Sequence, residues 1–240
     1  MDCLLFKRLY QRLSGLAAGL VEICLPQACV LCGGGSGEQG ICSPCLADLP
    51  WLDEAYCPAC GLPSPLAERC GACTRSPPAF DSTLAAWRYE WPLDRLIPAY
   101  KYGGQLILGA ALADGLLARL RARPRPDCLL AMPLHPQRLR ERGFNQSHEL
   151  ARRLARKLEL PLLHRGIARI LHTPPQASLA LAERRKALRD AFTVERDLHG
   201  MRIAVVDDVM TTGASLDALA NALKAAGAFH VDCWVLARTI

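Results

Sequence analysis

Two matching sets of four cysteines near the N-terminus constrain the fold of this 240-residue chain more than any other feature. Each set reads CxxC, nine residues, CxxC, and the second set repeats the first at an offset of 28 residues. A repeat of this kind indicates one small module that has been duplicated. The cysteines are Cys29, Cys32, Cys42 and Cys45 in the first set and Cys57, Cys60, Cys70 and Cys73 in the second.

Each cysteine set predicts a zinc ribbon. Two thiolates separated by two residues can bind one metal ion from a tight turn, and two such turns complete a tetrahedral site. A disulfide framework is one alternative, but it requires an oxidising compartment. An iron–sulfur cluster is the other metal occupant that four cysteines allow. We expect structural zinc, as one or two ions, and the equal spacers favour one ion bound within each set.

The residues before the ribbons, 1–26, predict an amphipathic helix. Lys7, Arg8 and Arg12 precede a partly apolar stretch, but Glu22 interrupts it and no clean cleavage site for a signal peptide follows. No window reaches the roughly eighteen uninterrupted apolar residues that a membrane span requires. We therefore expect a cytoplasmic protein with no membrane span.

The rest of the chain alternates apolar strands with helices. We assign 27–76 to the double ribbon and 77–240 to an α/β domain. Strands are predicted at 82–90, 128–132, 191–194, 203–206 and 231–237, and helices at 93–102, 106–122, 145–158 and 215–226. This rhythm predicts a doubly wound parallel sheet, in which ligands bind at the carboxyl ends of the strands.

The stretch RIAVVDDVMTTGAS, from Arg202 to Ser215, predicts a binding site at such a strand end. An apolar strand leads into two carboxylates, and a helix start follows them. The free N–H groups of a helix start, with a glycine and nearby hydroxyl groups, suit a phosphate, whereas carboxylates suit hydroxyl groups or Mg²⁺. The carboxylates are Asp207 and Asp208, and the phosphate residues are Thr211, Thr212, Gly213 and Ser215.

A phosphate on one side and hydroxyl groups with a metal ion on the other describe phosphoribosyl pyrophosphate. The stretch resembles the signature of type I phosphoribosyltransferases. An ordinary strand–helix junction with an acidic loop is the alternative. A Walker loop is excluded because its glycine and lysine pattern is absent.

A second motif, PLHPQRLRERGFNQS from Pro133 to Ser147, follows another predicted strand. Arg138 and Arg142 belong to a set of arginines at every second residue, which suits a loop or an extended arm more than one face of a helix. Guanidinium groups bind pyrophosphate well because each can donate two parallel hydrogen bonds. Asn145 and Ser147 can cap the helix that follows.

From Cys29 to its C-terminus the chain resembles the ComF family, competence-associated proteins in which a double zinc ribbon is joined to a phosphoribosyltransferase-like domain. The resemblance rests on the two cysteine sets, on RGFNQ at 142–146, on TPPQ at 173–176 and on the DDVMTTG run at 207–213.

The resemblance implies the role of each motif. Asp207 and Asp208 would form the catalytic centre and contact the ribose hydroxyl groups directly or through Mg²⁺. Thr211, Thr212, Gly213 and Ser215 would hold the 5-phosphate, Pro133 and Leu134 the pyrophosphate, and Arg184 and Arg185, on a mobile cover at 169–190, would reach the diphosphate.

The implied reaction transfers phosphoribose to a nitrogen nucleophile that the sequence does not identify. Magnesium and arginines would stabilise the leaving pyrophosphate. His135 has two interpretations, as a cap of backbone groups or as a catalytic residue. Whether the chain catalyses a transfer or only binds the sugar phosphate stays open at this level.

Charge supports a different class of function. The segment 136–189 carries thirteen Lys/Arg and four Asp/Glu, a net charge of +9, in a chain whose net charge is +6. Such an excess is typical of surfaces that bind nucleic-acid phosphates. The alternative hypothesis is a non-catalytic protein that binds single-stranded DNA in uptake or repair and uses the sugar-phosphate site as a sensor. A purely structural role is a third interpretation.

Overall fold

The computed structural model of the chain describes residues 28–36, 39–53, 55–103, 105–121, 123–171 and 190–240. The helix predicted at 1–26 lies outside these residues. By packing, the chain divides into two compact units, Met1–Asp48 and Leu49–Ile240. The second cysteine set therefore belongs to the same unit as the α/β sheet. The limits given above for the double ribbon as one domain stay a prediction.

The two ribbons repeat each other in structure as well as in sequence. Each contains a turn closed by one antiparallel bridge, which joins Ala28 with Gly35 in the first ribbon and Tyr56 with Pro63 in the second. A five-residue helix follows in each, α1 (Ser43–Ala47) and α2 (Gly71–Arg75). The offset of 28 residues holds for bridges and helices alike, so the duplicated sequence folds into a duplicated structure.

The second unit is built on a parallel sheet of five strands in the order β1-β7-β6-β2-β3. Two further strands, β4 and β5, form a separate antiparallel pair. The strands are β1 (Ser82–Arg88), β2 (Cys128–Ala131), β3 (Leu162–Leu163), β4 (Ile167–Arg169), β5 (Phe192–Val194), β6 (Arg202–Met210) and β7 (His230–Arg238). The predicted parallel α/β class is confirmed, although the strand predicted at 191–194 lies in the smaller sheet.

Helices cover both faces of the large sheet. They are α3 (Leu93–Tyr102), α4 (Leu108–Leu120), α5 (Pro136–Arg142), α6 (Gln146–Leu158) and α7 (Ala214–Ala225). Helices α4 and α6 contact each other and the sheet, while α7 packs on a core that contains Ile203, Val205 and Val231. Coverage on both sides explains why the strands read as continuous apolar runs. Among the described residues, none of the helices has the length and apolarity to cross a bilayer.

The chain order reverses between β2 and β6, which are neighbours in the sheet. The chain leaves β2 towards β3 on one side and leaves β6 towards β7 on the other. Ligands of doubly wound proteins bind at such a switch point, at the carboxyl ends of the strands. Asp207 and Asp208 extend past the end of β2 there. They were expected to follow their strand, but β6 continues to Met210 because this part pairs with β7.

The prediction of a loop for the arginine-rich stretch is wrong, because it forms α5. His135 caps this helix by accepting a hydrogen bond from the N–H of Gln137 at Nδ1, 3.3 Å away. Pro136 occupies the first turn, where its missing N–H costs nothing. Arg138 and Arg142 are thus one helical turn apart. Of the two interpretations of His135, the structure shows the capping one.

Candidate functional site

Each cysteine set brings four thiol groups together. Within a set, the four Sγ atoms all lie within 4.8 Å of one another. Sγ atoms are 3.7 Å apart between Cys32 and Cys42 and 3.8 Å apart between Cys60 and Cys70. A zinc ion bonded tetrahedrally to sulfur at about 2.3 Å separates its ligands by roughly 3.8 Å. Both sets fit structural zinc sites, and each site is formed within one repeat.

Backbone N–H groups favour the thiolate form of the first cysteine in each set. The N–H of Cys42 donates to Cys29 Sγ at 3.4 Å, and the N–H of Cys70 donates to Cys57 Sγ at 3.3 Å. Burial opposes the charge, but these and neighbouring N–H donors outweigh it, and they lower the pKa of Cys29 to about 6 and that of Cys57 to about 7. Zinc binds thiolates, so the backbone of both turns is arranged for a metal ion.

Asp208 is a buried carboxylate with both oxygens held, and its side chain is only 6% exposed. Oδ1 lies 2.9 Å from Lys101 Nζ and accepts from the N–H of Val209 at 2.6 Å. Oδ2 accepts from Gln146 Nε2 at 2.7 Å. Burial opposes charge on Lys101, but the carboxylates of Asp208 and Asp207 outweigh it and raise the pKa of Lys101. The buried carboxylate is therefore neutralised within the protein.

Asp207 is half-buried and differs from its neighbour in having an open oxygen. Its Oδ1 accepts from Ser147 Oγ and from the N–H of Asp208, both at 2.9 Å. Among the described residues, nothing donates a hydrogen bond to Oδ2. Burial, and then the negative charge of Asp208, raise the pKa of Asp207 to about 7. Asp207 is therefore the carboxylate of the pair that can contact a ligand.

The start of α6 positions the partners of both carboxylates. Asn145 caps this helix by accepting from the N–H of Ser147 at 3.0 Å. Its Nδ2 donates to the carbonyl oxygen of Met132, just past β2, also at 3.0 Å. These bonds hold Gln146 and Ser147, both buried, beside the acidic pair. The predicted cap is confirmed for Asn145, whereas the Ser147 side chain binds Asp207 instead.

Arg142 supports this arrangement from the end of α5. It donates to Gln146 Oε1 and, at 2.8 Å, to the hydroxyl of Tyr102. Its guanidinium carbon also lies 4.6 Å from the centre of the Tyr102 ring, a cation–π distance. Arg142 therefore orients the amide that holds Asp208, and it is not the free arm that its sequence spacing suggested.

The turn between β6 and α7 has the features of a phosphate site. Thr211 and Thr212 are exposed, and Ser215 is half-buried in the first turn of the helix. Gly213 adopts a φ of 78°, a left-handed conformation that glycine tolerates best. The helix that follows has twelve residues, so its start presents backbone N–H groups at the positive end of the helix dipole. We call residues 211–215 the phosphate turn.

Arg169 is close enough to both Asp207 and Arg138 for their charges to act on it. Arg169, in β4, is buried and places its guanidinium carbon 5.6 Å from the Phe192 ring centre. Burial and then the charge of Arg138 lower the pKa of Arg169, while Asp207 acts in the opposite direction. Two like charges held near each other form a suitable environment for an anion with several charges.

The other residues predicted to bind pyrophosphate are only partly described. Pro133 and Leu134 are half-buried in the connection between β2 and α5, at the carboxyl end of β2. Arg184 and Arg185 lie outside the described residues, so their contact with the diphosphate stays a prediction.

Three polar residues belong to this site although no sequence motif singled out their roles: Lys101, which is half-buried, and Gln146 and Arg238, which are buried. Lys101 stands four residues after the buried Ile97, so helical spacing places it on the inward face of α3. Arg238 ends a continuously buried strand and is 4% exposed. Lys101 and Arg238 could have been found in the sequence, because each is a charged residue at a position where the periodicity of its helix or strand predicts an apolar one.

The acidic pair fits Mg²⁺ only through Asp207. Both oxygens of Asp208 already accept hydrogen bonds, whereas Oδ2 of Asp207 does not. Magnesium keeps several water molecules and is often bound by one or two carboxylates together with phosphate oxygens of a substrate. The residues therefore suit a magnesium ion that arrives with a ligand, and not a cage made of protein groups alone.

Known proteins resemble both parts of the chain. A family model described as a double zinc ribbon domain matches residues 20–74, and one described as a phosphoribosyl transferase domain matches residues 145–239. Competence protein F of Haemophilus influenzae is 31% identical over 222 residues, which cover 88% of this chain and 96% of that protein.

Two further relatives carry related names. DNA utilization protein YhgH of Escherichia coli O157:H7 is 35% identical over 85% of this chain and 92% of its own length. Competence protein ComFC of Bacillus subtilis is 27% identical over 84% of this chain and 85% of its own length. Because both family models match and Competence protein F is 31% identical over most of both chains, the chain belongs to the ComF family.

Proposed function

We propose that this protein binds phosphoribosyl pyrophosphate together with Mg²⁺ and transfers its phosphoribosyl group to a nitrogen nucleophile. One observation supports this most: an acidic pair with one open carboxylate oxygen lies on the strand that leads directly into the phosphate turn. The two ends of a phosphorylated ribose need these opposite chemistries, with a hydroxyl acceptor at one end and N–H donors at the other.

In this proposal the residues divide the work of binding and charge stabilisation. Asp207 Oδ2 accepts from a ribose hydroxyl group or contacts Mg²⁺, and Asp208 stays paired with Lys101. The phosphate turn holds the 5-phosphate. Arg138 and Arg169 stabilise negative charge on the departing pyrophosphate, and bound Mg²⁺ would neutralise part of the same charge.

Binding of phosphoribosyl pyrophosphate with Mg²⁺ can be tested by calorimetric titration of the zinc-loaded protein. We expect dissociation constants on the order of micromolar for the native chain. Asp207→Asn should weaken binding by at least about tenfold, because the open carboxylate is lost. The matched control is Asp197→Asn, since Asp197 is exposed and, among the residues that the structure describes, bonds only the nearby N–H of His199. Native-like binding by Asp207→Asn, or none by the native chain, would contradict the proposal.

The pH dependence of the same titration gives a second test. The pKa of Asp207 is about 7, so the carboxylate gains a proton as the pH falls below this value. Binding should therefore be stronger at pH 8 than at pH 6, and the difference should be smaller in Asp207→Asn, where only the phosphate groups of the ligand titrate in this range.

A second candidate function, binding of single-stranded DNA, is favoured by the exposed cations of α6. Arg152, Arg156 and Lys157 are exposed. Arg152 and Lys157 also form ion pairs, with Glu149 and Asp114, each at 2.7 Å. Such surface pairs are weak and can exchange a carboxylate for a phosphate. The names of the relatives, competence and DNA utilization, agree with this candidate.

Titration of a labelled oligonucleotide at increasing salt tests the DNA hypothesis. Affinity that falls steeply with salt would support electrostatic binding, and measurable affinity that does not change with salt would exclude it. If the α6 cations act alone, Asp207→Asn should leave the DNA affinity unchanged.

A further inference from the structure

Arg238 is a buried guanidinium group held by carbonyl oxygens. It is 4% exposed, at the end of the apolar strand β7. Within the described residues it forms no ion pair, and its hydrogen bonds go to the carbonyl oxygens of Cys60, Met210, Thr211 and Thr239. Burying a guanidinium costs free energy unless its donors are used. Hydrogen bonds to these carbonyl groups therefore offset the cost of burying the Arg238 side chain.

One end of the arginine binds the second ribbon. Nε donates to the carbonyl oxygen of Cys60, a predicted zinc ligand, at 2.8 Å. The same ligand turn is fixed to β1, because Thr83 N–H donates to the carbonyl of Pro58 at 2.9 Å and Thr83 Oγ1 donates to that of Ala59 at 2.6 Å. The position of the Cys60 carbonyl thus depends on the fold of the metal turn.

The other end binds the phosphate turn. Nη1 donates to the carbonyl oxygen of Met210 at 2.9 Å and to that of Thr211, the first residue of the turn. Because a trans peptide is planar, its N–H points opposite to its carbonyl oxygen. Holding the Thr211 carbonyl on Arg238 therefore directs the N–H of Thr212 away from the arginine, and N–H groups presented in this way are what a phosphate binds.

We propose that Arg238 is a positioning residue that couples the metal site of the second ribbon to the phosphate turn, so that zinc bound by Cys57, Cys60, Cys70 and Cys73 strengthens sugar-phosphate binding. This inference rests on the proposed function for its ligand. The ribbon then acts as a metal-dependent support of the ligand site. Linkage requires the reverse effect as well, so the bound ligand strengthens zinc binding by the second ribbon.

A double-mutant cycle on the full-length protein tests the coupling. Arg238→Lys keeps the charge but lacks the rigid fork that spans two carbonyl groups. Cys73→Ser removes a zinc ligand. We expect each variant to weaken binding of phosphoribosyl pyrophosphate with Mg²⁺ by about tenfold, and the double variant to be no weaker than either alone. Losses that multiply, or native affinity in Arg238→Lys, would overturn the proposal.

Two further variants distinguish the coupling from a general destabilisation of the fold. Arg123→Lys is the matched control, since Arg123 joins Tyr56 to the Thr83 carbonyl without contacting the phosphate turn, and it should bind like the native chain. Cys73→His keeps four zinc ligands and should restore the affinity that Cys73→Ser loses. Loss in Arg123→Lys, or no rescue by Cys73→His in protein that contains zinc, would count against the coupling.

Amide hydrogen exchange of peptide 209–215 in protein without ligand tests the coupling independently of the proposed function. We expect this peptide to exchange faster in Arg238→Lys than in the native chain, although the variant keeps its zinc. In Arg123→Lys the peptide should exchange at the native rate. If the native chain binds no phosphoribosyl pyrophosphate, the proposed function fails, yet this measurement still tests the link from Arg238 to the phosphate turn: unchanged exchange in Arg238→Lys would refute the coupling.

Discussion

The two zinc ribbons are alike in sequence and in local structure, yet they belong to different compact units. Both have the same cysteine spacing, the same bridge and short helix, and the same N–H contact to the first cysteine. The first lies in Met1–Asp48 and the second in Leu49–Ile240, together with the sheet. The repeated sequence therefore determines the metal site, and residues elsewhere determine what that site supports.

Thr83 and Arg238, from β1 and β7, bind the second ribbon to the α/β sheet of the same unit. They bind the carbonyl groups of its first ligand turn, and Arg238 continues to the phosphate turn. A duplicated module has thus acquired a structural role in one copy without any change in its metal-ligand spacing. Matched substitutions, some of them at equivalent positions of the two copies, can test this difference.

Loss of a zinc ligand should have the largest effect. Cys73→Ser and Cys45→Ser should each lose one zinc ion. Only Cys73→Ser should destabilise the second unit strongly, by on the order of 5 kcal/mol, because metal binding is folding free energy for such a site. All four tryptophans lie within 49–240, so their fluorescence during urea unfolding reports on that unit. Equal destabilisation by both variants would contradict the comparison.

Removal of the Thr83 hydroxyl group should have the next largest effect. Thr83→Val leaves the buried carbonyl of Ala59 without its donor and should cost about 1 to 2 kcal/mol in free energy of unfolding. Thr74→Val is the control, since Thr74 bonds the Cys70 carbonyl in an exposed position and should cost less than about 0.5 kcal/mol. Urea unfolding measures both free energies. A larger loss in Thr74→Val than in Thr83→Val would contradict the role given to the Thr83 hydroxyl group.

Alanine at the equivalent glycines should reveal a smaller difference. Gly33 and Gly61 have φ of 75° and 70°, so alanine strains both backbones. A Cβ at Gly61 would also meet Thr83 Cγ2 at 3.2 Å, whereas at Gly33 it would meet no atom within 4 Å. Competition with a chromophoric chelator should show that Gly61→Ala weakens zinc binding about fivefold more than Gly33→Ala does. Equal losses would mean that the sheet does not constrain the second turn.

The rate of zinc release should show the smallest contrast. Cys32 is exposed, while the equivalent Cys60 is half-buried. A chelator should therefore remove the first zinc a few times faster than the second, and Cys45→Ser should lack the faster phase. Release from the second ribbon first would be inconsistent with its packing.

Much of this structure can be predicted from local patterns in the sequence. The helix at 93–102 and the metal turns depend on spacing within a few residues, and both match the prediction. The arginine stretch forms a helix because His135 and Pro136 make a helix start, a signal that the alternation of its arginines obscures. Strand β3 has only two residues and leaves no periodic signal.

The contacts that complete the candidate site could not be predicted, since they join distant parts of the chain. Ser147 contacts Asp207, and Gln146 contacts Asp208, only because β2 and β6 are neighbours in the sheet. Lys101 and Arg238 could have been flagged as charged residues at core positions, but their partners follow from the tertiary fold alone.

Native-state hydrogen exchange of the zinc-loaded, full-length protein tests most directly whether the second ribbon folds as one unit with the α/β sheet. Amides of residues 57–73 should open with the same free energy as those of β1 and β7, and residues 29–45 should open in a separate, less costly step. If both ribbons instead exchange together and independently of β1, the second ribbon is an appendage like the first, and its proposed role in supporting the phosphate turn is wrong.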